Sequence, residues 1–241
     1  NLKSLINLGK PILVEKPLSD NLLEAKKIIK YSNKKNVTLL TGYMQRFNPG
    51  VLKLKKLINK NFLGNIHMVS VDIKSLMPMW HKYENYKKLY ASQKKMGGGV
   101  ILTESHEIDL VRWLFGMPIT SFSFAGQLSK YKMDVEDTAS HIINFKLRKK
   151  NFIVQINQSF TSINQERLIN IYGDKGSLKL DLNKNSLTFC GINNFKKDFI
   201  IKKFKRNQLF LDQIKYINNL SKGIKNEVIL DDGLKTLELL S

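Results

Sequence analysis

The sequence predicts an α/β start and an α+β remainder: the end of a doubly wound domain, then a domain with a large, mostly antiparallel sheet backed by helices. Three observations carry this reading. A short apolar strand at 12–14, an amphipathic helix and a second strand at 37–41 follow one another at the spacing of a strand-helix-strand unit, which implies parallel neighbours. From residue 64 the texture changes, and Val69, Val71 and Ile73 alternate with Ser70, Asp72 and Lys74, the period of a half-exposed strand. Between further alternating stretches lies one strongly apolar helix around 106–115. The boundary falls near Gln45.

Each element has a local reason. Leu2, Leu5, Ile6 and Leu8 form the apolar side of a short helix that Gly9 ends in a C-cap position. After Pro11 and the strand 12–14 stands Glu15-Lys16-Pro17, a charged pair at a strand's carboxyl end, the edge at which ligands bind in open α/β sheets. Lys16 is therefore a candidate site residue, although taken alone the tripeptide reads equally as a loop lysine paired to Glu15. Ser19 to Asn21 offer N-caps, with Glu24 three residues after Asn21, for a helix running to about Ser32. The strand 37–41 leads into Gly42-Tyr43-Met44-Gln45-Arg46-Phe47-Asn48-Pro49, where Asn48 caps and Pro49 begins the next helix. Arg46, between strand and helix, reads first as a brace for that junction through an ion pair and otherwise as a contact to substrate.

In the second half, Ile143, Phe145 and Leu147, then Phe152, Val154 and Ile156, then Leu178, Leu180 and Leu182 alternate with polar residues. Turns of hairpin length at Arg148 to Asn151 and Gly173-Asp174-Lys175-Gly176 join them into an antiparallel sheet with one solvated face. His67 and His141 fall in strands, where no partner and no role are expected. Met77 to Met96 holds Trp80, His81, Tyr83, Tyr86 and Tyr90, which read either as a sugar-binding lid or as packing.

Composition narrows the function. A hydrophobic fraction of 42% suits an ordinary globular protein, and no apolar run reaches the roughly 18 to 20 residues of a membrane span. A lone cysteine, Cys190, excludes an internal disulfide and suits a reducing compartment, so a cytoplasmic location is expected. The formal charge of +20 comes from 35 lysines and 5 arginines spread along the chain; a nucleic-acid reader should carry more arginine, so no specific nucleic-acid partner is expected. No CxxC, HExxH, P-loop or EF-hand pattern occurs, and no metal site is expected. The chain opens on Asn1 inside a helical pattern and stops in another, so a fragment of a longer protein is expected.

The chemistry concentrates in GGGVILTESHEIDLVRWLFG, residues 97–116. Gly97 to Gly99 let the backbone pass close to a ligand or to another backbone. His106 and Asp109 stand three apart, on one helical face, where the carboxylate can orient the imidazole; Glu104 and Glu107 point elsewhere. One reading makes His106 a satisfied histidine at a helix start, and the other a general acid/base with room for substrate.

EKP after a buried strand, GYMQRFNP after the next, GGG before SHEIDLVRWLFG, and the GDKGSL hairpin together resemble the Gfo/Idh/MocA family of nicotinamide-dependent sugar and polyol oxidoreductases. The resemblance covers nearly the whole chain. It implies that residues 1–45 are the carboxyl-terminal remnant of a dinucleotide-binding Rossmann domain, and 46–241 a substrate and oligomerisation domain. By it Lys16, His106 and Asp109 are the catalytic group; Glu15, Lys16, Pro17 and Met44 lie by NAD or NADP; and Lys16, Gln45, Arg46, Trp80, His81, Thr103 and His106 face a sugar or polyol. A homo-oligomer through the sheet face and an association with surface-sugar synthesis are further implications. His106 then exchanges the hydroxyl proton, while Lys16, cationic at an ordinary pKa of about 10.4, steadies the developing negative charge. Two departures stand out. GxGxxG is absent, so the piece alone is expected to be inactive, and the aspartate that many members place before the histidine is replaced by Leu102-Thr103-Glu104-Ser105. The alternative is a non-catalytic sugar-binding or dimerisation relative.

Overall fold

A computed structural model describes residues 2–81, 83–224, 228 and 230–240; Asn1, Lys82 and Ser241, which fall within stretches read above, lie outside the described residues. The chain packs as two units, one made of residues up to Asn48 together with those from Lys203 onward, the other of Pro49–Lys202.

Numbered along the whole chain, the first unit contains α1 (Leu2–Ile6), β1 (Ile12–Val14), α2 (Leu22–Lys34), β2 (Leu39–Thr41), α6 (Arg206–Ser221) and α7 (Leu234–Leu240). The Asn21 side chain accepts from the Glu24 amide at 3.1 Å, closing the first turn of α2 as its sequence predicts. β1 and β2 pair in parallel, with Val14 opposite Thr41. Beyond them the chain returns: the Thr41 amide donates to Asp231 O at 2.8 Å, and the Thr41 hydroxyl to Asp232 O at 2.7 Å. Leu40, Tyr216 and Leu230 form a common core with Leu13, Phe47, Ile217 and Leu220 around them. This corrects the expected division at residue 45. Tyr216, Ile217, Leu220 and Leu230, from the far end of the chain, bury the apolar side of β2, a long-range pairing that local patterning does not carry.

The second unit holds α3 (Pro49–Asn59), β3 (Ile66–Leu76), α4 (Val100–Thr103), α5 (Ser105–Phe115) and seven further strands: β4 (Thr120–Gly126), β5 (Thr138–Leu147), β6 (Lys150–Ser159), β7 (Thr161–Gly173), β8 (Gly176–Asp181), β9 (Ser186–Gly191) and β10 (Lys196–Phe199). Its eight strands lie in the order β10-β9-β8-β7-β3-β6-β5-β4. All neighbours are antiparallel except β3 and β6, which run parallel. Alternation of period 2 is the same for both directions, so it predicts a one-sided strand and leaves the direction of its partner open.

The turn between β5 and β6 is Arg148-Lys149, both with positive φ, as a two-residue hairpin of type I′ requires. Its arginine also closes α3, donating to Ile58 O at 2.7 Å and Asn59 O at 3.0 Å, where a helix leaves bare carbonyls and a cation is favoured. α3 packs on β8 and β9, α4 on β5 and β6, and α5 on β5. Inward residues such as Val69, Phe145, Val154 and Ile156 are buried beneath these helices. The opposite face is open, and Phe122 and Phe124 are exposed there. No helix among the described residues is long and apolar enough to cross a membrane.

Candidate active site

In the first unit, β1 and β2 end side by side. The Gly42 amide donates to Val14 O at 2.8 Å, and a Cβ at residue 42 would stand 3.3 Å from that oxygen, so a side chain there would crowd the strand end. Directly after β1 come Glu15, Lys16 and a cis Pro17; Lys16 is half-buried and its amide donates to the Glu15 carboxylate at 3.3 Å. After β2 a short 3-10 turn, Met44–Phe47, buries Met44, Gln45 and Arg46. Arg46, fully buried, meets Asp231 at 3.4 Å, so it braces the junction as its position suggested. Gln45 accepts from Asn48 Nδ2 at 3.3 Å.

In the second unit the apolar helix forms as α4 and α5, separated at Glu104. The Thr103 and Glu104 amides close α4 on Gly99 O and Val100 O, and Glu104 itself lies off helical angles at φ −100° and ψ +32°. Thr103, Ser105, His106, Glu107 and Asp109 are all buried. Asp109 stands one turn beyond His106, the spacing that shares a helical face, and its carboxylate accepts from Arg112 Nη2 at 3.3 Å. Glu107 points away from that pair: Arg167 of β7 donates to it through Nε at 2.6 Å and Nη2 at 3.2 Å, and also approaches Glu104 at 3.6 Å. Burial works against the guanidinium charge, but the carboxylates of Glu107 and Glu104 hold Arg167 protonated beyond its usual range.

The glycine run serves the fold. A Cβ on Gly98 would strike the carbonyls of Tyr90, Ala91 and Gln93, and one on Gly99, whose φ is +104°, would strike the Glu136 carboxylate. Glu136 in turn accepts from the Ile101 amide at 3.2 Å at the start of α4. Of the two approaches expected of these glycines, the one to the protein's own backbone is seen at Gly98, with the Glu136 carboxylate beside Gly99. Trp80 packs edge-on against Phe160 and donates its indole N–H to Ser75 Oγ at 3.0 Å, while His81 Nδ1 lies 2.9 Å from the Tyr83 hydroxyl. Of this aromatic stretch, Trp80 and Tyr86 belong to the packing around Met77, Val100 and Phe160.

Two histidines need correction, because both have partners. His67 Nε2 lies 2.7 Å from Asp174, across the paired ends of β3 and β7. His141, buried under the helices, has Nδ1 2.7 Å from Ser123 Oγ and Nε2 3.0 Å from Gln158 Oε1. Burial lowers its pKa below the usual imidazole value. Gln158 continues inward, its Nε2 donating to Glu104 O at 2.8 Å. Sequence reasoning missed Gln158 and Arg167. The signal for Gln158 was present, since 158 continues the apolar series 152, 154 and 156 with a polar residue, as 141 precedes the series 143 and 145. Among the described residues no group of three or more His, Cys, Asp or Glu side chains is placed to hold a metal.

The fold and this helix have relatives. A family model described as the GFO/IDH/MocA C-terminal domain matches residues 51–179, more than half of the chain. The myo-inositol 2-dehydrogenase of Thermotoga maritima is 23% identical over 241 residues, covering 95% of this chain and 68% of that protein. The rhizopine catabolism protein MocA of Rhizobium meliloti is 33% identical over 118 residues, covering 48% of this chain and 34% of its own length. The chain spans about half of several other curated relatives. In fold it is similar to the WlbA dehydrogenase of Bordetella pertussis, crystallised with NADH and UDP-GlcNAcA, at TM-score 0.76 and 22% identity over 99% of this chain and 70% of that one. It is similar also to the aldose-aldose oxidoreductase of Caulobacter crescentus, complexed with glycerol, at TM-score 0.82 and 19% identity over the same shares. With its sheet domain matched over most of its length, and its strand-end and helix motifs in the same order as the resemblance required, the chain belongs to the GFO/IDH/MocA family.

Proposed function

We propose that the protein is an NAD(P)-dependent oxidoreductase that interconverts a hydroxyl and a carbonyl on a sugar or polyol. The observation that carries the reading is His106, buried at the start of α5 with Asp109 on the same face and its flanking glutamates held by Arg167. Support comes also from the named chemistry of the relatives, an inositol dehydrogenase and sugar oxidoreductases, one of them crystallised with NADH.

The first unit fits the nicotinamide end of such a cofactor on one observation of its own. Two parallel strands end together at Gly42, where a side chain would crowd the strand end, and at Lys16, a cation in the following turn. Glu15, Lys16, Pro17 and Met44 are the residues we assign to it, and when bound it supplies or accepts the hydride. His106 accepts the hydroxyl proton in oxidation and returns it in reduction. Lys16 steadies negative charge on the reacting oxygen, a task suited to a cationic side chain. Gln45 and Thr103 are assigned to substrate hydroxyls. The same reading assigns the open sheet face, with Phe122, Phe124 and Ile142, to association with a second copy. A substrate connected with surface-sugar synthesis is its finer form.

The test is to express the chain together with any coding sequence found upstream of Asn1, titrate with NADH and NADPH by fluorescence, and assay cyclitols, aldoses and nucleotide sugars. Saturable binding with turnover that His106→Ala abolishes, at little cost in cofactor affinity, is the expected result. Turnover that survives His106→Ala would overturn the acid/base assignment, and sugar binding without turnover would favour a non-catalytic relative.

A further inference from the structure

The turn that carries His106 is held from the sheet at two points. One is the Arg167 pair with Glu107. The other is a directed chain of hydrogen bonds. Gln158 Nε2 donates to Glu104 O, so its Oε1 faces His141 and must accept from an Nε2–H; the bare Nδ1 of that tautomer then accepts from the Ser123 hydroxyl. Reversing the Gln158 amide would set its oxygen against the Glu104 carbonyl, two acceptors with no donor between them. The chain therefore has one self-consistent direction. Its inner members are enclosed: Gln158 is 1% and His141 3% exposed. Its last acceptor is the backbone carbonyl at the break between α4 and α5, two residues before His106.

We propose that Gln158 is the positioning residue of His106, holding the α4–α5 break through the Glu104 carbonyl, with His141 and Ser123 fixing which way its amide points. The proposal rests on the acid/base reading of His106. Polar residues at two apolar positions of adjacent strands are costly to bury, and joining them in one chain ending under the functional helix gives them a reason to be there. The hold acts at the break itself, where Glu104 leaves helical backbone angles at φ −100° and ψ +32°. The charged groups around His106 on its own elements are Glu104, Glu107, Asp109 and Arg112, and β7 contributes Arg167.

The test follows the ring signals of the four histidines by NMR in the full chain, assigned by single substitutions, through a pH titration. Gln158→Met removes both hydrogen bonds at similar volume. The His106 signal is expected to move and its titration midpoint to shift, whereas Gln155→Met, on the opposite face of β6, leaves both in place. Where turnover is measurable, kcat should fall about tenfold with KM unchanged, the effect of about 1.4 kcal/mol on the barrier. If Gln158→Met does not fold, Gln158→Glu keeps the length and the acceptor for His141 but loses the donor to Glu104, and is read the same way. An unmoved His106 signal and midpoint in a folded variant would overturn the proposal. A moved signal together with full turnover in His106→Ala would leave the positioning intact and sink the acid/base reading instead.

Discussion

Substituting Arg167 by Met removes the only cation that the described residues bring to Glu107, whose side chain is 1% exposed. Breaking one member of a buried pair costs about 3–5 kcal/mol, because the remaining charge has neither water nor partner. The guanidinium side chain is itself 21% exposed, which places the expected cost near the lower end, about 3 kcal/mol. Glu107→Met should cost less, about 2 kcal/mol, since Glu104 remains 3.6 Å from the arginine to balance it. The double variant replaces both charges by apolar groups of similar length and should cost only about 2 kcal/mol, giving a coupling energy of about 3 kcal/mol. Urea unfolding followed by tryptophan fluorescence reads this directly, because both tryptophans, Trp80 and Trp113, lie in the second unit. Added salt should change the coupling little, as it screens exposed pairs far more than enclosed ones. A coupling below about 1 kcal/mol would equate the pair with a surface ion pair and refute the argument that it anchors α5.

Four further outcomes follow from single residues. Burial keeps His141 neutral and its folded pKa below the unfolded value of about 6.5, so the unfolded chain takes up the proton first; stability should fall as pH drops below about 6.5, and His141→Gln should flatten that slope in urea midpoints. Burial acts to raise the Asp137 carboxyl, but hydrogen bonds from the Ser129 hydroxyl, the Leu128 and Ser129 amides and the Thr138 hydroxyl bring it below the usual range. Its contribution is therefore present above about pH 3.9 and lost as pH falls through the lower folded value; Asp137→Asn should cost about 2–3 kcal/mol at pH 7, measured by urea unfolding, and remove that acid limb. Gly99→Ala meets both a positive φ and the Glu136 carboxylate, so thermal unfolding should show a loss of about 2 kcal/mol or more, and a neutral result would mean that the loop yields. The Gln213 amide nitrogen, buried beside Gly42, has no hydrogen-bond partner among the described residues; Gln213→Met should leave the melting temperature unchanged or raise it, and a loss above about 1 kcal/mol would show that the amide is bonded.

Much of the architecture was legible because its causes are local. Asn21, Pro49 and Arg148-Lys149 mark helix starts and a hairpin through their own side chains and backbone, and the alternation around Val69, Phe145 and Val154 identifies inward faces wherever the partner strand lies. The helix of His106 was visible for the same reason. Gly97 to Gly99 were conspicuous but ambiguous: a glycine reports that something comes close, and at Gly98 and Gly99 the neighbours are carbonyls and a carboxylate of the chain itself. His141 was passed over because its acceptor lies seventeen residues away and meets it only through the β5–β6 register.

By itself the sequence determined the periods, the caps and the turns, and with them a strand-helix-strand start, a one-sided sheet and an apolar helix bearing His106 and Asp109. Those follow from backbone sterics and from the separation of apolar and polar side chains, which act within a few residues. The tertiary structure alone decided that residues 203–241 return to cover β2, that β3 runs parallel to β6, and that Arg167 and Gln158 reach the turn of His106 from two strands. Those contacts join residues 50 or more positions apart, and no local preference encodes them. At the turn of His106 the sheet register is what brings Gln158 to the Glu104 carbonyl and Arg167 to the carboxylates of Glu107 and Glu104.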